Sequence, residues 1–249
     1  MKAVAERVVD GAMLALVKSF LEAPIVDERD GGRPKRNGQG TPQGGVISPL
    51  LANLYLNLLD RNFRRRVEGG NLSGRLVRYA DDLVVLTPQR PDRELAWVKQ
   101  LMERLGLVLH ANKTRVVDAR EGHFTFLGHM HFFRRGKLYL DIGKKALKRI
   151  RGELRQKTRR TGLSLEQMIQ AMNLYIRGAR QYFRRVLRKR LSSLDHAVDV
   201  LLARWWRRKH TLRRPAWSLV HEGRLRREYG LELWNLPLAL RPADSRCAK

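Results

Sequence analysis

Cysteine is almost absent from this sequence, since the single one is Cys247, close to the C-terminus. One cysteine excludes an intrachain disulfide framework and any zinc site built from several cysteines, and it is typical of a reducing compartment. Long apolar runs are also missing, because none reaches the roughly 18 residues that a membrane-spanning helix needs. We therefore expect a cytoplasmic protein with no membrane partner and no signal peptide.

Acidic residues are scarce as well, with 24 Asp and Glu against 51 Lys and Arg, for a formal net charge of +27. Residues 1–130 carry 20 basic and 15 acidic side chains, whereas residues 131–249 carry 31 and 9. Such an excess in the second half favours a module that binds a polyanion, and nucleic acid is the obvious one. The alternative is a solvated, arginine-rich helical surface without a specific partner.

Local patterns predict helices and strands in the first part of the chain and helices alone in the second. Apolar spacing predicts a helix over 3–22, and Ser48 is a plausible N-cap of another over 48–62. Further predicted strands are 75–79, 83–87, 107–109, 114–118, 124–132 and 137–141, and further helices are 92–105, 143–160, 164–189 and 193–208. We expect an α+β fold with a domain over 1–141, a helical domain over 142–235 and a tail over 236–249.

The stretch RYADDLVVL (78–86) places two adjacent carboxylates, Asp81 and Asp82, where two short strands should be joined. A hairpin can present both carboxylates from its tip, and Mg²⁺ usually takes one or two carboxylates together with phosphate oxygens. Aspartate is also common in ordinary solvated turns, so the motif alone leaves both interpretations open.

A second motif, GTPQGGVISPLLAN (40–53), precedes the first by about 35 residues. Together and in this order, the two motifs resemble the palm of reverse transcriptases, and specifically of the group II intron reverse transcriptases, also called maturases. The resemblance covers roughly residues 5–235. It continues through LGLVLHANKTRVV (105–117), through FTFLGHMHF (124–132), which is similar to the primer-grip segment, and through residues 174–210, which are similar to the maturase-specific thumb region.

The resemblance implies RNA-directed DNA synthesis that uses two Mg²⁺ ions, a DNA primer, an RNA template and deoxynucleoside triphosphates. It also implies roles for individual residues. Asp81 and Asp82 would be the metal ligands, and Tyr79 and Ala80 would lie at the primer end. Gln43 and Gly44 would contact the template and the nascent base pair, and Lys113 would be a catalytic cation near the leaving pyrophosphate. The primer grip would consist of Phe126, Leu127 and Gly128. Lys113 could equally be an exposed strand-edge lysine, and Phe126 and Leu127 could simply pack in the core.

The resemblance further implies that intron RNA binds the helical part, where arginines alternate with aromatic residues. The predicted RNA-binding residues are Arg177, Arg180, Arg184, Arg185, Arg188, Lys189, Arg190, Arg207, Arg208 and Lys209. The alternative is that the aromatic residues are core and that only the charges face solvent. Of the aromatic residues, we expect Phe183 and Trp205 to be core, from their helical register.

The family also carries another catalytic aspartate and the fingers upstream of the segment at which this sequence begins, and Asp10 is expected inside the helix that follows. We therefore expect an N-terminally truncated member that retains RNA binding and has little polymerase activity alone. Two alternatives stay open. An upstream fingers/palm fragment or a second copy of the chain could complete the site, or the chain could be a non-enzymatic RNA-binding cofactor of intron splicing.

Overall fold

A computed structural model describes residues 1–26, 34–35, 45–89 and 91–235 of the chain, in a mixture of helices and strands. The chain forms two compact units, Met1–Val116 and Val117–Lys249. In the described ranges, no helix combines the length and the apolar character needed to cross a bilayer. The predicted tail over 236–249, with Cys247, lies outside the described residues, as do 27–33, 36–44 and Arg90.

The first unit begins with two helices where the sequence predicts a single one over 3–22. Helix α1 covers Lys2–Ala5 and helix α2 covers Gly11–Glu22. The break falls at Asp10, whose carboxylate accepts hydrogen bonds from the backbone N–H groups of Ala12 (2.7 Å) and Met13 (3.0 Å). Because this side chain caps a new helix, Asp10 lies before α2 and not inside a helix, so the prediction for 3–22 is wrong at this point.

A long helix, α3 (Ser48–Glu68), follows the short pair of strands β1 (Ile25–Val26) and β2 (Pro34–Lys35). It extends six residues beyond the predicted end at 62. Ser48 is its first helical residue and not its N-cap, since that position belongs to Ile47, which makes no side-chain capping bond. Pro49 lies in the first turn, where its missing N–H costs no helical hydrogen bond.

The hairpin β3 (Arg75–Tyr79) and β4 (Asp82–Leu86) packs with α3 and with helix α4 (Pro91–Arg104). The strands agree with the prediction to within one residue. Along β3 the side chains alternate between exposed and half-buried, whereas β4 is a continuous apolar run after Asp82. The buried residues of this core are Leu59, Phe63, Leu72, Val98 and Met102.

The segment after α4 contains no strand at 107–109 or 114–118, so those two predictions are wrong. Gly106, at φ 67°, ends the helix as predicted, and the N–H of Leu107 donates to the carbonyl of Met102 (2.8 Å). Leu107 and Leu109 then pack against the first core without pairing to another strand. Their alternating pattern reflects one-sided burial of an irregular segment.

The second unit opens with a three-stranded antiparallel sheet in the order β5 (His123–Phe126), β6 (His129–Arg134) and β7 (Lys137–Ile142). The predicted single strand over 124–132 is therefore a hairpin, with Leu127 and Gly128 in its turn. Both turn residues have positive φ, 48° and 77°, which is the backbone of a two-residue type I′ hairpin turn. Leucine is unusual in such a turn, so the local sequence does not predict one at this position.

Three helices build the main core of this unit: α5 (Lys144–Lys157), α6 (Leu165–Tyr182) and α7 (Arg188–Lys209). The predicted helix over 164–189 ends early, because the N–H of Leu187 donates to the carbonyl of Leu140 (2.9 Å) outside the helix. Phe183 and Val186 are buried in the intervening turn, and Trp205 is buried in α7, so the prediction that Phe183 and Trp205 are core is confirmed.

The described chain ends in α8 (Trp217–Val220), a 3₁₀ turn (His221–Gly223), α9 (Arg224–Tyr229) and a segment without regular secondary structure over 230–235. This segment is fastened to α6 and α7. Asn173 bonds the backbone of Gly230 and Glu232, and Asp195 accepts from the backbone N–H of Trp234 (2.7 Å). Trp234 is fully buried, so these residues complete the core.

The two compact units divide the chain at 116, whereas the sequence places the end of the palm-like part at 141. The two divisions describe different things, since one follows spatial compactness and the other follows the change from mixed helices and strands to helices alone. A domain boundary at 141 stays a prediction.

Candidate functional site: a carboxylate hairpin and a basic helical unit

The two adjacent carboxylates lie at the tip of the β3–β4 hairpin. Tyr79 pairs with Asp82 across the hairpin, so Ala80 and Asp81 form a two-residue turn. Asp81, Asp82 and Tyr79 are all exposed, with Tyr79 66% accessible. The tip therefore presents two carboxylates and an aromatic ring to solvent.

Ala80 adopts a left-handed backbone with φ 52°. Such a backbone costs an L-residue with a Cβ about 1–2 kcal/mol, and persists only where neighbouring contacts hold it. The conformation of Ala80 therefore depends on contacts from the surrounding residues.

Arg78 supplies those contacts. Its Nε donates to both carboxylate oxygens of Asp60 (3.0 and 3.1 Å), and its Nη2 donates to Asp60 Oδ2 (2.6 Å). Its Nη1 donates to Asn53 Oδ1 (2.8 Å) and to the carbonyl oxygen of Ala80 (2.8 Å). The hydrogen bond with Asp60 is the main reason why the pKa of Arg78 is raised above its ordinary value. One guanidinium thus joins α3 to the turn.

The donor set of the tip fits a hard divalent cation. Exposed carboxylate oxygens are the ligands that Mg²⁺ prefers, and one or two of them with phosphate oxygens are a common arrangement. Across the described ranges, no group of three or more His, Cys, Asp and Glu side chains is placed to hold a metal ion. Asp81 and Asp82 are the pair that could hold one together with a bound phosphate.

Of the other predicted residues of the polymerase-like part, the structure describes some and not others. Gln43 and Gly44 lie outside the described residues. Lys113 is exposed in a turn, where its backbone N–H donates to the carbonyl of His110 (2.9 Å), and its proximity to leaving pyrophosphate stays a prediction. The predicted strand at 114–118 does not form, so the alternative of a strand-edge lysine is wrong.

The predicted primer-grip residues Phe126, Leu127 and Gly128 are half-buried at the β5–β6 turn. The carbonyl of Leu127 accepts a hydrogen bond from the hydroxyl of Tyr182 (2.7 Å), and the carbonyl of Gly128 accepts one from the N–H of Gly143 (2.8 Å). The turn is thereby fixed to the end of α6 and the start of α5.

Several predicted RNA-binding side chains are engaged within the protein. Arg190 forms a bidentate ion pair with buried Asp141 (2.7 and 2.8 Å), and the hydrogen bond with Asp141 is the main reason why the pKa of Arg190 is raised. Arg177 and Arg180 both pair with Glu232. Such contacts hold elements together, which makes these arginines weaker candidates for binding phosphate.

Two more of the predicted residues, Arg208 and Lys209, bond backbone carbonyls of the segment after α5. Arg208 donates to Thr158 (2.7 Å), and Lys209 donates to Leu163 (2.7 Å) and Thr161 (3.3 Å). Arg184 and Arg185 also take part in interactions, and Arg207 is half-buried. Arg188 and Lys189, in the first turn of α7, are exposed.

The prediction missed a basic stripe on α5, which we call the α5 stripe: Lys144, Lys148, Arg151 and Arg155. The spacing puts the four residues on one side of the helix, away from buried Ala146 and Ile150. None of the four has an ion-pair partner among the described residues, and all but half-buried Arg151 are exposed. The signal was present in the sequence as a basic residue every three or four positions.

Comparison with known proteins matches both parts of the chain. Residues 2–131 match the family model of reverse transcriptase (RNA-dependent DNA polymerase), and residues 147–223 match that of the group II intron maturase-specific domain. The first match covers Asp81 and Asp82. The second covers α6, α7 and the part of α5 from residue 147 onward.

Curated relatives agree with these matches. Protein YkfC of Escherichia coli (strain K12) is 30% identical over 160 residues, covering 52% of this chain and 41% of that protein. Nuclear intron maturase 4, mitochondrial, of Arabidopsis thaliana is 42% identical over 60 residues (24% and 7%), and the group II intron-encoded protein LtrA of Lactococcus lactis subsp. cremoris is 40% identical over 55 residues (22% and 9%). The matched regions span less than half the length of each relative. With its reverse transcriptase match over residues 2–131 and its maturase-specific match over residues 147–223, the chain belongs to the group II intron reverse transcriptase/maturase family.

Proposed function

We propose that this chain binds structured intron RNA through the basic surface of its second unit, with the α5 stripe as the main phosphate contact. The observation that carries the proposal is that the stripe is unpaired, whereas many of the arginines on α6 and α7 are engaged within the protein. Residues 144–155 span about 16 Å of helix, which is enough for several phosphates along a strand. Arginine and lysine bind phosphate through charge-assisted hydrogen bonds.

Binding of a folded group II intron RNA to the chain, followed by fluorescence anisotropy at fixed salt, tests this proposal. Replacing the four residues of the α5 stripe by Gln should weaken RNA binding by at least about tenfold. With each lost phosphate contact, fewer counterions are released from the RNA when the protein binds. The matched control replaces Arg64, Arg65, Arg66 and Lys99 by Gln, which removes the same charge from the first unit. Equal losses in the two variants would contradict a specific role for α5.

We further propose that the β3–β4 hairpin belongs to a palm that ends near 141, and that Asp81 and Asp82 hold Mg²⁺ during DNA synthesis. A bound Mg²⁺ supplies positive charge to the reacting phosphate. The two carboxylates would hold it, Tyr79 and Ala80 would lie beside the primer end, and Phe126, Leu127 and Gly128 would support the primer. Gln43, Gly44 and Lys113 keep their predicted roles with template, nascent pair and pyrophosphate as part of this proposal.

Primer extension on an RNA template with Mg²⁺ and deoxynucleoside triphosphates tests the hairpin. It should be run with the chain alone and with an added fingers/palm fragment, because a fragment or a second copy could complete the site. We expect any synthesis to fall at least about a hundredfold with Asp81→Asn. Synthesis that survives this change would contradict the assignment. Intron splicing without any synthesis would favour the alternative of a non-enzymatic RNA-binding cofactor.

A further inference from the structure

Arg78 is the residue that best explains how the turn carrying Asp81 keeps its unfavourable backbone. The five hydrogen bonds of its guanidinium end on three acceptor groups, of which two lie on α3 and one is the carbonyl of Ala80. The arginine side chain is only 12% exposed. Its bonds to Asp60 are partly buried, whereas those to Asn53 and Ala80 lie at the surface. The network is therefore a fixed part of the first unit.

The Ala80 carbonyl is the informative contact, because it belongs to the peptide group that joins Ala80 to Asp81. A peptide group is planar, so holding its oxygen also fixes the direction of the Asp81 N–H. The Asp81 Cα is part of the same planar peptide group, so the hydrogen bond from Arg78 to the Ala80 oxygen also restricts the position of this atom. Between this peptide group and the Asp81 carboxylate, only the N–Cα bond and the two side-chain bonds can rotate.

The two acceptors on α3 fix the arginine in turn. Asn53 and Asp60 are seven residues apart, close to two helical turns, so they lie on the same side of α3. Asp60 takes the Nε and Nη2 edge of the guanidinium and Asn53 takes Nη1. A lysine ammonium is a single point charge and cannot make this planar set of contacts.

We infer that Arg78, held by Asn53 and Asp60, is a positioning residue that sets the Asp81 carboxylate for cation binding. The inference rests on the proposed metal role of Asp81. Groups that orient metal ligands typically change metal affinity by about 10–100-fold when they are removed. Arg78 contacts no substrate in this assignment and acts only through the turn.

Mn²⁺ binding to the whole chain, followed by the electron paramagnetic resonance signal of the free ion, gives a readout that does not depend on activity. Arg78→Lys should weaken Mn²⁺ binding about tenfold. Asn53→Ala should weaken it by a smaller factor, and Asn53→Asp, which keeps an acceptor for Nη1, should restore it. The matched control is Arg75→Lys, an exposed arginine of the same strand, which should bind as the parent does.

Thermal unfolding of each variant separates positioning from stability. If Arg78→Lys does not fold, Asn53→Ala decides the matter, because it removes one hydrogen bond at an exposed position. A folded variant with a lower melting temperature and unchanged Mn²⁺ affinity would overturn the inference and leave Arg78 a structural residue. Asp81→Asn tests the underlying assignment separately, and parental Mn²⁺ affinity in that variant would overturn both the metal site and the inference that rests on it.

Discussion

At the scale of residues, charge alone does not identify a binding surface. Arg190 and Lys189 are neighbours in sequence and were predicted together to bind RNA. Arg190 is paired with an aspartate whose side chain is 8% exposed, whereas Lys189 is exposed. The sequence could not separate them, because the partner, Asp141, lies 49 residues away.

We expect Arg190→Ala to lower the free energy of unfolding by about 2–4 kcal/mol, because it leaves the Asp141 carboxylate buried without its cation. Lys189→Ala should change it by less than about 0.5 kcal/mol, as is usual for an exposed side chain. Chemical denaturation of the two variants measures both values. Similar values for the two would show that the Arg190–Asp141 pair does not stabilise the unit.

The carboxylate hairpin shows what a local pattern can predict. The β-branched and aromatic runs on either side of the two aspartates predict both strands of the β3–β4 hairpin to within one residue, with Asp81 and Asp82 at its tip. The role of Arg78 could not be predicted, since Asn53 and Asp60 lie 25 and 18 residues earlier on another element. Contacts between distant elements decide which polar residues support a site.

At the scale of elements, the errors fall where a side chain or a distant carbonyl interrupts a regular pattern. Asp10 caps α2 and divides the predicted first helix. The carbonyl of Leu140 accepts a hydrogen bond from the N–H of Leu187, and the predicted helix over 164–189 is interrupted before this residue. In both cases the hydrophobic spacing continues through the break, so periodicity alone could not show it.

Two glycines at the start and middle of α5 should respond in opposite ways to alanine. A Cβ at Gly143 would lie 2.9 Å from Thr125 Cγ2 and 3.1 Å from the carbonyl oxygen of Gly128, whereas nothing lies within 4 Å at Gly152. Gly143→Ala should destabilise the protein by about 1–3 kcal/mol because the β5–β6 turn must move. Gly152→Ala should stabilise it by about 0.5–1 kcal/mol through helix propensity.

Thermal or chemical unfolding of the two alanine variants checks this pair. A neutral Gly143→Ala variant would mean that the turn is not held tightly against α5. The same variant is informative for function, since it would displace Leu127 and Gly128 without altering any charge.

At the scale of the whole molecule, the charge imbalance indicates a polyanionic partner, and the packed structure is needed to show which basic side chains are not engaged within the protein. The basic excess lies in residues 131–249, and the maturase-specific match lies within that range. Within it, the structure separates arginines that fasten α6, α7 and the segment 230–235 from cations that stay unpaired on α5.

The dependence of RNA affinity on salt tests the central claim most directly. The logarithm of the dissociation constant should be plotted against the logarithm of salt concentration for the parent chain and for the variant with the α5 stripe replaced by Gln. Each phosphate contact contributes about 0.7–0.9 to the slope, so losing four contacts should reduce it by roughly 3. A slope unchanged from that of the parent would contradict the claim that the α5 stripe binds the RNA backbone.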